Sequence, residues 1–222
     1  MESSILKFLG SDSGFGINNN SAYIEEKGKL TIIDCGFTVF TQIKKKFDLN
    51  KYKEINVIVT HLHNDHAGSL SQLILYAYFI FNKKVNVISM CSKIKEYLDI
   101  TGTPEDAYTL YNKFENVEFI RTEHTRYLDS YGFKLCVNGK KIVYTGDTNI
   151  LEPFIKYTND IDEFYVDVSR YGGAHLKIDD VIEKLREIKK KNITAHIANR
   201  KIETEEEKAL VDEFYEKDCA KY

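Results

Sequence analysis

The stretch that most constrains this chain is INVIVTHLHNDHAG, residues 55–68. Residues 55–60, five of the six apolar or β-branched with Asn56 the exception, predict a buried strand. That strand runs straight into four side chains of metal-ligand type within six positions: His61, His63, Asp65 and His66. Alternate residues of a strand point to one side, so His61 and His63 are expected to face the same way. Asp65 and His66 fall in the turn before a helix expected from Gly68 to about Phe81, with an apolar face of Leu73, Tyr76, Ala77 and Ile80. One strand end of this kind can offer a pair of ligands to each of two metal positions. Neutral imidazole and carboxylate suit Zn2+, with Mn2+ or Fe as alternatives. Half of the chain's six histidines sit here, and the others are His124, His175 and His196.

Around this stretch the chain alternates strands and helices, which predicts an α/β layered protein. Strands are expected at 5–9, 21–26 and 30–34, then a helix at 38–47. After the histidine stretch come a strand at 85–90, a helix near 93–99 and a strand at 117–120. YGFKLCV (131–137) and KKIVYTG (140–146) are joined by an Asn-Gly turn, the strongest hairpin signal present. A strand at 163–169, a helix at 179–190, a strand at 193–198 and a closing helix near 204–217 complete the pattern. With no linker-like segment or repeat, 1–222 reads as one domain.

Composition narrows the function. The formal net charge is -3, which disfavours a long nucleic-acid surface. The two basic triplets, 44–46 and 189–191, fall on expected helices and read as solvated faces. Cys35, Cys91, Cys136 and Cys219 form no C-x-x-C pair and read as free thiols in a reducing interior. MESSILKFLG does not read as a signal peptide. The most apolar run, 73–81, has nine residues, too few to span a bilayer. A cytoplasmic protein without membrane contact is expected.

The HLHNDH residues match the H-x-H-x-D-H signature of the metallo-β-lactamase superfamily. The resemblance continues in LKFLGSDSGFGINNNSAYI and LTIIDCG, which are similar to the opening of the ribonuclease Z-like phosphodiesterases. TEHT at His124, YTGDT at Asp147 and ITAHIANR at His196 resemble their later ligands, in the same order. The resemblance implies an αββα four-layer sandwich carrying two ions. His61, His63 and His124 would hold one, and Asp65, His66 and His196 the other, with Asp147 bridging. Asp34 and Thr148 would orient ligands, although Asp34 reads equally well as a cap of the next turn. His175, in RYGGAHLKIDD, resembles the catalytic histidine of the group and would act with Asp65 in catalysis.

Ions in such a site activate water and draw charge from phosphate oxygens. Only 23 positions separate His124 from Asp147, and the expected hairpin takes most of them, so the tRNA-gripping arm of ribonuclease Z has no room. The expected substrate is therefore a small phosphodiester. The compact chain is similar to anti-Pycsar phosphodiesterases, which open 3′,5′-cyclic mononucleotides to linear monophosphates and so evade antiphage signalling. That group implies a homodimer. Tyr108, Tyr111, Tyr127 and Tyr171 are candidates for stacking on a base, and Asn18, Asn19 and Asn20 for reaching phosphate or sugar. The alternatives are an armless RNA-processing endonuclease, a lactone or thioester hydrolase of the same fold, and a non-enzymatic module that sequesters a nucleotide.

Overall fold

The early β-rich segments pair among themselves, and the later ones do the same. In the computed structural model, which describes residues 4–12, 14–169, 171–191 and 193–197, the chain forms two compact units. One covers 6–114, and the other 4–5 with 115–197.

In the first unit β1 (Lys7–Gly10), β2 (Ser21–Glu26) and β3 (Lys29–Ile33) form an antiparallel meander. Lys27 and Gly28 both adopt positive φ, the backbone a tight two-residue hairpin turn requires. β4 (Glu54–Ile58), β5 (Val85–Ile88) and β6 (Tyr108–Tyr111) then add in parallel, so the sheet runs β1-β2-β3-β4-β5-β6. β6 was not expected from the sequence: a four-residue YTLY strand is too short for a period to register.

Parallel strands need crossovers, and α1 (Val39–Lys46), α2 (Asn64–Ala67), α3 (Leu70–Phe81) and α4 (Ile94–Ile100) supply them. α1 buries Val39, Phe40 and Ile43 and ends in Lys44, Lys45 and Lys46, which suit the negative end of its dipole. All three lysines are exposed, as a solvated face should be. The turn expected before the helix at 68–81 forms the short helix α2, and the expected helix itself runs from Leu70 as α3. Its buried face is Leu70, Leu73, Ile74 and Ala77, while Ile80 in the last turn is 63% exposed.

In the second unit β7 (Val117–Arg121), β8 (Tyr131–Val137) and β9 (Lys140–Tyr144) are antiparallel. β10 (Glu163–Val166) and β11 (Thr194–Ile197) continue the sheet in parallel from β9. The expected Asn-Gly turn joins β8 to β9, with Asn138 and Gly139 both at positive φ. α5 (Glu152–Ile155) follows β9, and α6 (Ile178–Lys189) connects β10 to β11. Five α6 residues at helical spacing, Ile178, Val181, Ile182, Leu185 and Ile188, join Val143, Phe164, Val166, Ile193 and Ala195 in one buried cluster. Each such side chain contributes about 1.5–3 kcal/mol by leaving water, so this face anchors α6 to its sheet.

Cys35 and Cys91 are buried free thiols and Cys136 is partly exposed. Cys219 and the helix expected near 204–217 lie outside the described residues. No helix among the described residues is long and apolar enough to cross a membrane.

Candidate functional site

Ligand-type side chains in both units gather at or beyond the C-terminal ends of parallel strands, where such sheets place their sites. In the first unit, the backbone after β3 turns at Asp34, which adopts φ +60. Its peptide N–H donates to the Ile58 carbonyl and its own carbonyl accepts from the Ser21 hydroxyl at 2.8 Å, so the turn is held from both sides. The fully buried Asp34 carboxylate accepts from the Thr60 N–H and hydroxyl and from His66 Nδ1, each at 2.8 Å. Burial pushes this carboxyl above its usual range, and the His66 and Thr60 bonds pull it back.

The Asp34 bond fixes the His66 tautomer and leaves Nε2 as its ligating nitrogen, 3.4 Å from Asp65 Oδ2. His61 and His63 lie beyond β4, on the segment entering α2, and meet at 3.0 Å between Nε2 and Nδ1. Two imidazole nitrogens this close must share a proton or a cation. The Cys35–Phe37 backbone is zipped to α2: Cys35 N–H donates to the His66 carbonyl and Phe37 N–H to that of Asn64. A Cβ on Gly36 would sit 1.8 Å from the Asp65 carbonyl oxygen, so only glycine allows this approach.

In the second unit, Asp147 follows β9 through Gly146 at φ +59. His124 Nδ1 donates to the Ala174 carbonyl at 2.8 Å, which turns Nε2 to within 3.6 Å of Asp147 Oδ2. His175 Nδ1 lies 3.8 Å from the same Asp147 oxygen. One donor atom each from His124, Asp147 and His175 falls within 4.8 Å of the others. His196, on β11, stacks on Tyr165 with ring centroids 4.6 Å apart. Its Nε2 is buried and has no hydrogen-bond partner among the described residues. Burial, helped by Lys189, lowers its pKa to about 4, so the ring is neutral at pH 7. A buried, neutral imidazole with an unsatisfied nitrogen fits a metal ligand.

Asp167 was not singled out from the sequence. It is buried at the end of β10, takes the His175 Nδ1 proton at 2.6 Å, and has its own N–H anchored on the Thr145 hydroxyl. Burial, and then the nearby Asp147 charge, raise its carboxyl above the usual range. Its signal in the sequence is a lone aspartate closing the apolar run EFYV.

The Thr148 hydroxyl donates to the Ile150 carbonyl and caps its own turn, and its N–H reaches the Asp167 carboxylate at 3.4 Å. Asn19 Oδ1 accepts from Thr38 N–H and hydroxyl, and Asn18 Oδ1 from Gln42, so both amide oxygens serve the packing of the loop. Tyr108 and Tyr111 belong to β6 rather than to loops, and Tyr108 is buried there.

The fold matches solved structures. The metallo-β-lactamase-fold protein YhfI from Bacillus subtilis is similar at a TM-score of 0.72 and 14% identity, over 95% of this chain and 92% of that one. A diphosphatase of the PhnP family is similar at 0.65 and 15% identity, over 86% and 84%. Human tRNase Z, short form, is similar at 0.60 and 16% identity, over 82% of each. The chain is a metallo-β-lactamase-fold protein.

Within that class the chain is similar to anti-Pycsar proteins: residues 5–98 match the family model Anti-Pycsar protein Apyc1. Anti-Pycsar protein Apyc1 of Bacillus phage 010DV004 is 25% identical over 217 residues, 82% of this chain and 84% of that protein. Its counterpart in Paenibacillus harenae is 31% identical over 83 residues, 36% of this chain and 33% of that protein.

Proposed function

We propose that the protein is a metal-dependent phosphodiesterase that opens a 3′,5′-cyclic mononucleotide to the linear monophosphate, in the cytoplasm, in evasion of cyclic-nucleotide antiphage signalling. The ligand assignment is the one the sequence resemblance implies: His61, His63 and His124 for one ion, Asp65, His66 and His196 for the second, and Asp147 bridging. The observation that carries it is the neutral, buried His196 ring whose Nε2 has no partner among the described residues. The Asp34–His66 bond and the backbone-held His124 add ligand orientation of the kind metal sites use. Zn2+ suits these donors, and the relatives' name supplies the cyclic-nucleotide reading.

Divalent ions held by these residues would lower the pKa of a water to near 7 and draw charge from phosphate oxygens. The chain's own residues do the rest. Asp167 holds the Nδ1 proton of His175 and stabilises the imidazolium, so Nε2–H faces the reaction as a proton donor. His175 is 20% exposed against 3% for the His124 side chain, which suits a proton donor rather than a buried ligand. Water loses a proton to solvent as its oxygen adds to phosphorus, one P–O ester bond breaks, and the leaving ribose oxygen takes the proton from His175, which solvent then restores. Asp65, partly exposed beside His66, orients the attacking water.

The test is chromatography of metal-loaded protein incubated with cyclic CMP, UMP, AMP and GMP, with Asp147→Ala as control. Linear monophosphate from wild type alone is expected. No conversion by protein with two metals bound would remove this reading in favour of precursor RNA or a lactone. The homodimer implied by the sequence resemblance is checked in the same preparation by sedimentation.

A further inference from the structure

Thr60 lies between β4 and the histidines and is fully buried, as is the His61 that follows it. Its side chain is locked in place. The Thr60 N–H and hydroxyl donate to the two different oxygens of Asp34, each at 2.8 Å, and the Thr60 carbonyl accepts from the Cys91 thiol at 3.5 Å. The hydroxyl has one more neighbour: His61 Nδ1 lies 3.1 Å from Oγ1. A hydroxyl donates one proton and accepts at its lone pairs. That proton goes to Asp34, a carboxylate on which the Thr60 N–H and His66 Nδ1 also converge, so toward His61 the hydroxyl oxygen can only accept. His61 Nδ1 must then carry the proton. The opposite tautomer would set two buried lone pairs against each other, with neither satisfied.

We infer that Thr60 is a positioning residue whose hydroxyl holds His61 in the Nδ1–H tautomer and so reserves Nε2 for a metal ion; the assignment of ions rests on the phosphodiesterase reading above. Asp34 thereby reaches two ligand histidines, His66 directly and His61 through one hydroxyl. The two rings sit side by side, with centroids 4.1 Å apart. In the ligand set proposed above they serve different ions, so one buried carboxylate presets a ligand of each. Partners of this kind fix the tautomer and the ring plane before a metal arrives. The same tautomer accounts for the 3.0 Å contact of His61 Nε2 with His63 Nδ1. With His61 Nε2 as acceptor, the proton between the two rings belongs to His63.

The test uses the full-length protein and zinc. Long-range proton–nitrogen NMR spectra of the histidine rings should show wild-type His61 protonated at Nδ1, both before and after zinc is added. Thr60→Val keeps the shape and removes the hydroxyl, and its His61 should lose that single form in the absence of zinc. In competition with a chromogenic chelator, Thr60→Val should bind one of two zinc ions about 10–100-fold more weakly, the usual effect of losing a ligand's orienting partner. The other ion should stay near its wild-type affinity, because His66 keeps its own bond to Asp34. Thr60→Ser should restore both readouts, whereas a role in packing alone would be met by valine and not by serine. Wild-type His61 protonated at Nε2 would overturn the inference without any variant. So would wild-type zinc affinity in Thr60→Val, or an equal loss at both ions, which would make the hydroxyl a partner of Asp34 alone. Neither readout needs turnover, so a wild type that leaves cyclic nucleotides intact would count against the phosphodiesterase reading and leave the role of Thr60 standing.

Discussion

The imidazole of His175 donates its Nδ1 proton to the buried carboxylate of Asp167 across 2.6 Å. The bond fixes the tautomer, and Asp167 cannot move away because its own N–H is tied to Thr145. His175→Ala should therefore keep its metals, measured by inductively coupled plasma mass spectrometry, yet lose about 10²- to 10⁴-fold in kcat. Asp167→Asn should lose activity while the ring stays in place, because the amide no longer enforces the Nδ1–H form. A metal-replete His175→Ala protein with wild-type turnover would remove the proton-donor role.

Asp34 accepts three hydrogen bonds in a fully buried position. Asp34→Ala strands the Thr60 donors and releases His66. We expect a loss of roughly 3 kcal/mol or more in urea unfolding, since each stranded buried donor costs about 1–3 kcal/mol. Metal affinity should fall about 10–100-fold with it, as is usual when a ligand's orienting partner is lost. Unchanged affinity in a competition titration would mean that Asp34 serves the turn alone.

Gly36→Ala should be among the most damaging single-methyl additions, because the new carbon would meet the Asp65 carbonyl oxygen at 1.8 Å. Backbone would have to move at the HLHNDH motif itself, so a loss above about 4 kcal/mol is expected. At Gly139 the added carbon meets nothing within 4 Å, and only the positive φ opposes it. Thermal melts of the two alanine variants should rank them in that order.

Glu163 accepts from the Tyr165 hydroxyl and from Ile5 N–H, and burial raises its pKa above the usual value of 4.5. The folded state then holds this proton more tightly than the unfolded chain. Its contribution to stability is present below the unfolded pKa and is lost as pH rises through the folded one. Glu163→Gln should flatten that part of the curve, seen as a smaller fall in urea midpoint above pH 4.5. An identical pH profile in wild type and variant would contradict the assignment.

The Cys35 thiol is buried beside the Ser69 hydroxyl, at 3.4 Å, and burial raises its pKa to about 12. Iodoacetamide at pH 8 should leave Cys35 unmodified in the native protein and label the partly exposed Cys136, read by peptide mass mapping. Native labelling of Cys35 would mean that the loop it shares with Gly36 opens readily.

The ligand-type residues and most elements were legible because their information is local. The HLHNDH motif, the Asn138-Gly139 turn and the α6 stripe of Ile178, Val181, Ile182, Leu185 and Ile188 each declare themselves within a dozen residues. β6 was missed because four residues carry no period, and α2 because a single helical turn is equally short. Asp167 stayed hidden for a different reason. A lone aspartate after a strand has many uses, and its role appears only when the loop before α6 folds His175 back onto it.

The sequence by itself determined the donor types, their order and the strand ends that carry them, since side-chain chemistry and strand period depend on neighbours in the chain. Tertiary structure alone decided which ring nitrogen of His66, His124 and His175 carries a proton. It also left the His196 nitrogen buried without a partner among the described residues. These outcomes rest on hydrogen bonds such as that of His124 to Ala174, 50 positions away, and no local pattern encodes a partner at that distance.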